Sequence, residues 1–73
     1  MRIQINGEPH DLPASTADLP SAMNLVELIA YLKLAPERLA VEHNRQVVRR
    51  ADWSRTFLSE GDQIEIVHFV GGG

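Results

Sequence analysis

The most informative absence in this sequence is cysteine, because none occurs among its 73 residues. Without thiols the chain can form no disulfide, offer no thiolate to a metal ion and present no cysteine nucleophile. It also cannot carry a sulfur atom on a side-chain thiol. Any covalent chemistry of this chain must therefore use a different group.

Catalytic and metal-ligating patterns are missing as well. The three histidines, His10, His43 and His68, show no paired ligand spacing, so we expect no metal site. No serine lies in a nucleophile-elbow pattern, and no phosphate-binding loop with its lysine is present. We therefore expect a protein that is not an enzyme and binds no cofactor itself.

Charge and hydropathy restrict the partners. The net charge is −3, and acidic residues are mixed among the basic residues between Lys33 and Arg55, which predicts a solvated face and no nucleic-acid partner. No apolar run approaches the roughly 20 residues that span a bilayer, and residues 1–5 lack a signal-peptide core. We expect a cytoplasmic protein with no membrane partner.

The first part of the chain predicts a β-hairpin. Ile3 and Ile5 alternate with polar residues, as in a half-buried strand. Asn6-Gly7 is a strong signal for a type I′ turn, after which residues 8–12 return as a short strand. Pro9 favours an edge position for that strand. Residues 13–22, with two prolines, predict an irregular loop.

One helix is predicted over residues 25–34. Asn24 and Glu27 have the spacing of a capping box, and Pro36 is expected to end the helix. One apolar face follows from the i, i+3, i+4, i+7 spacing. Its members are Leu25, Leu28, Ile29 and Leu32.

The rest of the chain predicts three more strands, at residues 39–43, 46–49 and 63–67, with a turn at Asn44-Arg45. Asp52 or Ser54 is expected to cap a short helical turn in residues 50–56. The order β-β-α-β-β-β predicts an α+β fold of the β-grasp type, a mixed sheet of four to five strands packed on one main helix. The first and last strands are expected to be parallel neighbours, since a helical crossover can join them.

The last strand leads into the glycine tail, Gly71, Gly72 and Gly73, where the sequence stops. Without side chains these residues form a thin, flexible thread about 10 Å long, whose tip would be an unhindered carboxylate on Gly73. Such a thread fits a narrow channel in another protein. The alternative from the residues alone is a frayed terminus without function.

At this point the chain resembles the ubiquitin-like sulfur carriers, most of all the ThiS family of thiamine biosynthesis. The matching stretches lie in family order along nearly the whole chain, at residues 3–7, 39–44, 50–53, 61–67 and 71–73. Two positions depart from the family pattern, Arg45 where glycine is frequent and Arg49 where proline is frequent. The resemblance implies a single carrier domain at 1–73, with its tail at residues 68–73.

The resemblance also implies the chemistry. An E1-like, ThiF-like enzyme would use ATP and Mg to adenylate the Gly73 carboxylate, with Gly71 and Gly72 threading its channel. A sulfur donor, such as the persulfide of a cysteine desulfurase, would then displace AMP and leave a thiocarboxylate. A ThiG-like thiazole synthase would receive that sulfur. Carriers for molybdopterin (MoaD-like) or another sulfur pathway share this chemistry, whereas a ubiquitin-like binding module would keep an inert or conjugated tail.

The docking surface is predicted beside the tail. Phe69 and Val70 would anchor it in an apolar groove of the partner; the alternative is that Phe69 closes the core. The carboxylates of Glu60, Asp62 and Glu65 would steer docking onto a basic partner. Otherwise they are ordinary turn and strand residues.

Overall fold

A computed structural model describes residues 1–12 and 23–69 of the chain. Over those residues the secondary structure consists of one α-helix, two 3₁₀ helices and five strands. The strands are β1 (Arg2–Ile5), β2 (Glu8–Asp11), β3 (Leu39–His43), β4 (Gln46–Val48) and β5 (Gln63–His68), and the α-helix is α1 (Leu25–Tyr31). The 3₁₀ helices are Pro36–Arg38 and Arg50–Arg55. The loop predicted at residues 13–22 lies outside the described residues.

The five strands form one mixed sheet in the order β2-β1-β5-β3-β4. β1 and β5 pair in parallel at its centre, and the other neighbours are antiparallel. The predicted parallel pair of first and last strands is thus confirmed, and β2 with Pro9 lies at an edge as expected. Positive φ angles of 51° and 80° at Asn6 and Gly7 match the predicted type I′ turn.

Helix α1 begins as the sequence predicts and ends earlier. The Glu27 amide donates to Asn24 Oδ1 at 2.8 Å and the Asn24 amide donates to Glu27 Oε1 at 3.0 Å, which completes the capping box. The prediction that the helix runs to Leu34 is wrong, because Lys33 adopts the left-handed conformation at φ 59°. The amides of Lys33 and Leu34 bond back to the carbonyls of Ala30 and Ile29. These bonds form a Schellman motif, which ends the helix before Pro36 does.

The core lies between α1 and one face of the sheet. Its sheet side consists of alternating residues of the three central strands, Ile3, Ile5, Leu39, Val41, Ile64 and Ile66. Leu25, Leu28 and Ile29 of α1 cover them, as the apolar spacing predicts. No helix among the described residues has the length and apolar character to cross a bilayer.

Trp53 is the largest buried side chain of the described chain and is 2% exposed. Its indole Nε1 donates to the Val48 carbonyl at 3.0 Å, so the one polar atom of the ring has a partner in the core. The prediction that Asp52 or Ser54 caps this turn is wrong. The N-cap is Arg49, with no side-chain cap, and β4 ends one residue before it.

Candidate functional site

Strand β5 is the middle strand of the five-stranded sheet and precedes the glycine tail in the chain. His68, which the sequence analysis assigns to the tail, is the last residue of β5 and pairs with Leu39 of β3. One residue further, the Phe69 amide donates to the Arg38 carbonyl at 2.8 Å. The backbone is therefore held on its β3 side through Phe69. Val70, Gly71, Gly72 and Gly73 lie outside the described residues.

The β1 side of β5 is held differently. The backbone pairing with β1 reaches only from Gln63 to Ile64, with the Asn6 amide donating to the Ile64 carbonyl at 2.8 Å. Beyond Ile64, the Asn6 side chain supplies the hydrogen bonds to β5 that the β1 backbone no longer provides. Its Oδ1 accepts from the Ile66 amide at 2.8 Å, and its Nδ2 donates to the Ile66 carbonyl at 3.2 Å.

A second asparagine holds the start of β5 from the other side. Asn44 opens the β3–β4 turn, as Asn6 opens the β1–β2 turn, and also has φ 51°. Its Oδ1 accepts from the Gln63 amide at 2.9 Å, and its Nδ2 donates to Asp62 Oδ1 at 3.2 Å. Sequence reasoning identified both asparagines only as turn residues. The available signal was that asparagine has a side chain able to imitate a peptide group.

Asp62 is not the exposed docking residue that the sequence analysis predicts. It is 8% exposed, and its Oδ2 accepts from the Ser59 amide at 2.8 Å and lies 2.7 Å from His43 Nε2. Burial acts to raise the pKa of Asp62, but the hydrogen bonds from His43, Ser59 and Asn44 outweigh it and hold that pKa below its ordinary value. The Asp62 carboxylate thus connects β3, the start of β5 and the preceding turn through its hydrogen bonds.

Glu60 is also engaged within the chain, because both of its carboxylate oxygens accept from the Arg2 amide, at 3.1 and 3.0 Å. Glu65 differs from these two acidic residues. It is exposed on the sheet face away from α1 and lies directly opposite Glu42 of β3. Like charges in register are unfavourable in an isolated sheet, so this pair adds negative charge that the fold itself does not require.

Exposed apolar side chains surround that acidic pair. We name as the open face the residues that alternate with the buried positions of β5, namely Gln63, Glu65, Val67 and Phe69, together with Glu42 and Val47 opposite them. Val47 is 73%, Val67 52% and Phe69 60% exposed. The alternative in which Phe69 closes the core is therefore wrong, and an apolar surface lies where β5 ends.

The described residues hold no group of three or more histidine or acidic side chains that could bind a metal ion. A cavity of about 170 Å³ lies on the helix side of the sheet. Its lining consists of Val26, Ile29, Ala30, Leu34, Pro36 and Trp53. The cavity is lined by no titratable side chain. The candidate functional site is therefore the end of β5 together with the open face beside it.

This architecture defines the class of the protein: a β-grasp domain whose central last strand ends beside an exposed apolar face. The comparison with family models then identifies the family, since the model of the ThiS family matches residues 3–73. The chain belongs to the ThiS family. That match extends through the glycines at the end of the sequence.

Individual relatives agree with this assignment. A thiazole synthase of Magnetococcus marinus is 47% identical over all 73 residues, which make up 20% of that protein. The chain thus spans about a fifth of the length of the thiazole synthase that it matches. The sulfur carrier protein ThiS of Bacillus subtilis is 31% identical over 97% of this chain and 98% of its own.

The fold is shared with a solved structure of the family. The crystal structure of the thiamine biosynthesis protein ThiS from Geobacter metallireducens is 36% identical to this chain. The two match with a TM-score of 0.76 over 100% of both chains. The β-grasp prediction from the order of elements is therefore confirmed.

Proposed function

We propose that this chain is a sulfur carrier of thiamine biosynthesis whose cargo is held on the Gly73 carboxylate. The observation that carries the proposal is that the ThiS family match includes the glycine tail, in a fold whose central strand leads toward that tail. The absence of cysteine is consistent with it, since a carrier without thiols needs a different group for the sulfur.

The chemistry follows from the weakness of a carboxylate as an electrophile. One oxygen of Gly73 attacks the α-phosphate of ATP bound with Mg to a ThiF-like partner, and pyrophosphate leaves. The acyl carbon now bears AMP as a good leaving group. A sulfur nucleophile, supplied by a persulfide donor such as a cysteine desulfurase, attacks that carbon and displaces AMP. When the outer sulfur of the persulfide is the nucleophile, the first product is an acyl disulfide. A thiol reductant then breaks the S–S bond by forming a disulfide with the donor's own sulfur, and the released product is a thiocarboxylate. The carrier contributes no acid, base or metal ion to these steps.

The acceptor in this proposal is a ThiG-like thiazole synthase. Support comes from the Magnetococcus marinus relative, a thiazole synthase in which a segment similar to this whole chain makes up a fifth of the polypeptide. Molybdopterin carriers would use the same tail chemistry, but no relative reported above bears that name. Growth of a strain lacking this chain, with and without thiamine, separates the two pathways. The proposal also includes the cytoplasmic location expected from the sequence.

The open face is the proposed docking surface for the adenylating partner, with Phe69 and Val70 as apolar anchors and Glu65 as the steering charge. An enzyme that receives the tail must approach the end of β5, where Phe69 and Val67 are exposed. Asp62 is removed from this surface because its carboxylate is buried and bonded. The acidic pair of Glu65 and Glu42 would favour a basic partner surface.

The test is an intact mass spectrum after incubation with ATP, a ThiF-like enzyme and a sulfur donor. We expect a mass increase equal to the exchange of one oxygen for sulfur, located at Gly73. Gly72→Val should keep the fold and lose adenylation, because a β-branched side chain would block a narrow channel. Ala51→Val, at an exposed position in the second 3₁₀ helix, is the matched control and should react as the wild type does.

Two outcomes would contradict the proposal. An unchanged mass with partners that activate another carrier would favour an inert ubiquitin-like module. Covalent attachment of the chain to lysines of other proteins would favour a conjugated modifier. Normal adenylation of Gly72→Val would refute the threading argument alone.

A further inference from the structure

Strand β5 is longer than the strand beside it, which leaves part of its edge without a backbone partner. β1 ends at Ile5, and Asn6 turns away from the sheet at φ 51°. β5 nevertheless continues for four residues past Ile64, its last residue in register with β1. Because even-numbered residues of β5 direct their peptide groups toward β1, the amide and carbonyl of Ile66 face the place where β1 has already ended.

The Asn6 side chain fills that place as if it were one more residue of β1. A primary amide has the same acceptor and donor as a peptide group, and both are used: Oδ1 accepts from Ile66 N at 2.8 Å and Nδ2 donates to Ile66 O at 3.2 Å. The two bonds join positions 60 residues apart in the chain. Ile66 thus has both of its backbone bonds on an edge that would otherwise be open.

We propose that Asn6 is a positioning residue, which fixes the direction in which β5 presents the tail to the adenylating enzyme. This inference rests on the proposed function. Among the described residues Ile66 is the last one held on the β1 side, and beyond it only β3 holds the strand, through the bond from Phe69 N to Arg38 O. Without Asn6 the end of β5 would be held from one side only, so the root of the tail could tilt away from the channel.

The chain contains its own control for this idea. Asn44 has the same place in its turn and the same φ of 51°, and its side chain also bonds the backbone of β5. It acts at Gln63, however, which is the first residue of β5 and the one farthest from the tail. Loss of Asn44 should weaken the fold at least as much as loss of Asn6, but it should leave the end of β5 in place.

The experiment compares Asn6→Gly with Asn44→Gly. Glycine tolerates the positive φ of both positions, so each variant loses the side-chain amide without strain in the turn. For Asn6→Gly we expect KM of the adenylation reaction to rise about fivefold, which corresponds to hydrogen bonds of ordinary net strength. Because the reacting groups belong to Gly73 and the partner, kcat should not change. Asn44→Gly should leave both constants at wild-type values.

A second readout does not depend on the partner. Amide hydrogen exchange at Ile66 and Phe69, whose amides donate to Asn6 Oδ1 and to the Arg38 carbonyl, should accelerate in Asn6→Gly relative to Asn44→Gly, measured under conditions in which both variants are fully folded. Asn6→Asp keeps the acceptor for the Ile66 amide but places a carboxylate oxygen against the Ile66 carbonyl in place of the donor, so its KM should be at least as high as that of Asn6→Gly.

The outcomes separate the two proposals. If the wild-type chain is adenylated and Asn6→Gly has an unchanged KM, or if Asn44→Gly raises KM equally, the positioning role is overturned and the carrier function stands. If the wild-type chain is not adenylated at all by a competent partner, both proposals are overturned. A fall in kcat for Asn6→Gly would also contradict positioning, because it would indicate a role in the reaction itself.

Discussion

Replacing Asp62 tests whether a residue that resembles a surface charge in the sequence in fact supports the start of β5. Its carboxylate receives the Ser59 amide at 2.8 Å, the Asn44 amide group at 3.2 Å and the His43 ring at 2.7 Å. Asp62→Ala removes all three contacts. Asp62→Asn keeps the shape but replaces one acceptor oxygen with an NH₂ group, which would face either the Asn44 donor or the Ser59 donor.

The size of the effect follows from these contacts. Hydrogen bonds to a charged group contribute about 1.5–3 kcal/mol each, but three bonds to one carboxylate are not additive. We expect Asp62→Ala to lower the free energy of unfolding by about 3 kcal/mol and Asp62→Asn by about 1–2 kcal/mol. A domain of this length has a total stability of roughly 4–11 kcal/mol, so the alanine variant should unfold at much lower denaturant concentration.

The effect should depend on pH in a defined direction. The pKa of Asp62 is lower in the folded chain than its ordinary value of 3.8, so the folded state binds fewer protons at this site. The stabilisation is therefore complete above the unfolded pKa and is lost as the pH falls through the folded pKa. Between pH 7 and pH 5 this contribution should stay constant, and below about pH 4 it should decline in the wild type and be missing in Asp62→Asn.

The assay is urea-induced unfolding followed by circular dichroism, repeated at several pH values between 7 and 3. The control is Asp11→Ala, which removes the exposed ion pair between Asp11 and Arg2 on the edge hairpin, and surface pairs contribute little to stability. The reasoning is refuted if Asp62→Ala and Asp11→Ala unfold at the same urea concentration. It is also refuted if Asp62→Asn loses stability below pH 4 as steeply as the wild type.

Two further predictions concern the open face and the β3–β4 turn. Phe69→Ser should weaken binding to the adenylating enzyme by about tenfold or more, measured by titration calorimetry, since truncating an aromatic anchor that the complex buries costs more than about 1 kcal/mol. The control is Phe57→Ser, at a residue of 48% exposure away from this face, which should bind normally. Equal losses in the two variants would refute the proposed docking surface. Arg45 has φ 72°, a conformation that costs most residues other than glycine, asparagine and aspartate about 1–2 kcal/mol. Arg45→Gly should therefore raise the free energy of unfolding by about 0.5–1 kcal/mol in the same urea assay. A lower free energy of unfolding would contradict this, because it would mean that contacts of the Arg45 side chain stabilise the fold by more than the backbone strain destabilises it.

Local features of this protein were determined by the sequence alone. The alternation around Ile3 and Ile5 defined a strand with one buried face, and Asn6-Gly7 defined a turn because both residues accept positive φ. The pair Asn24 and Glu27 defined the start of the helix. Each of these signals acts between neighbours in the chain, and their order was sufficient to predict the β-grasp arrangement. The glycine tail was visible for the same reason, although its role remains a proposal.

Only the tertiary structure decided the features that depend on partners distant in the chain. Lys33 takes a left-handed conformation that its residue type does not favour, and no local signal marked the helix end there. Trp53 lies among polar neighbours in the sequence, but packing on the core and a bond to Val48 bury it. Asp62 lies in a polar turn of the sequence, but its burial and bonding depend on the position of His43 in β3. The bond from Asn6 to Ile66 spans 60 residues, because a side-chain amide can replace a missing strand residue only after the sheet has brought the two together.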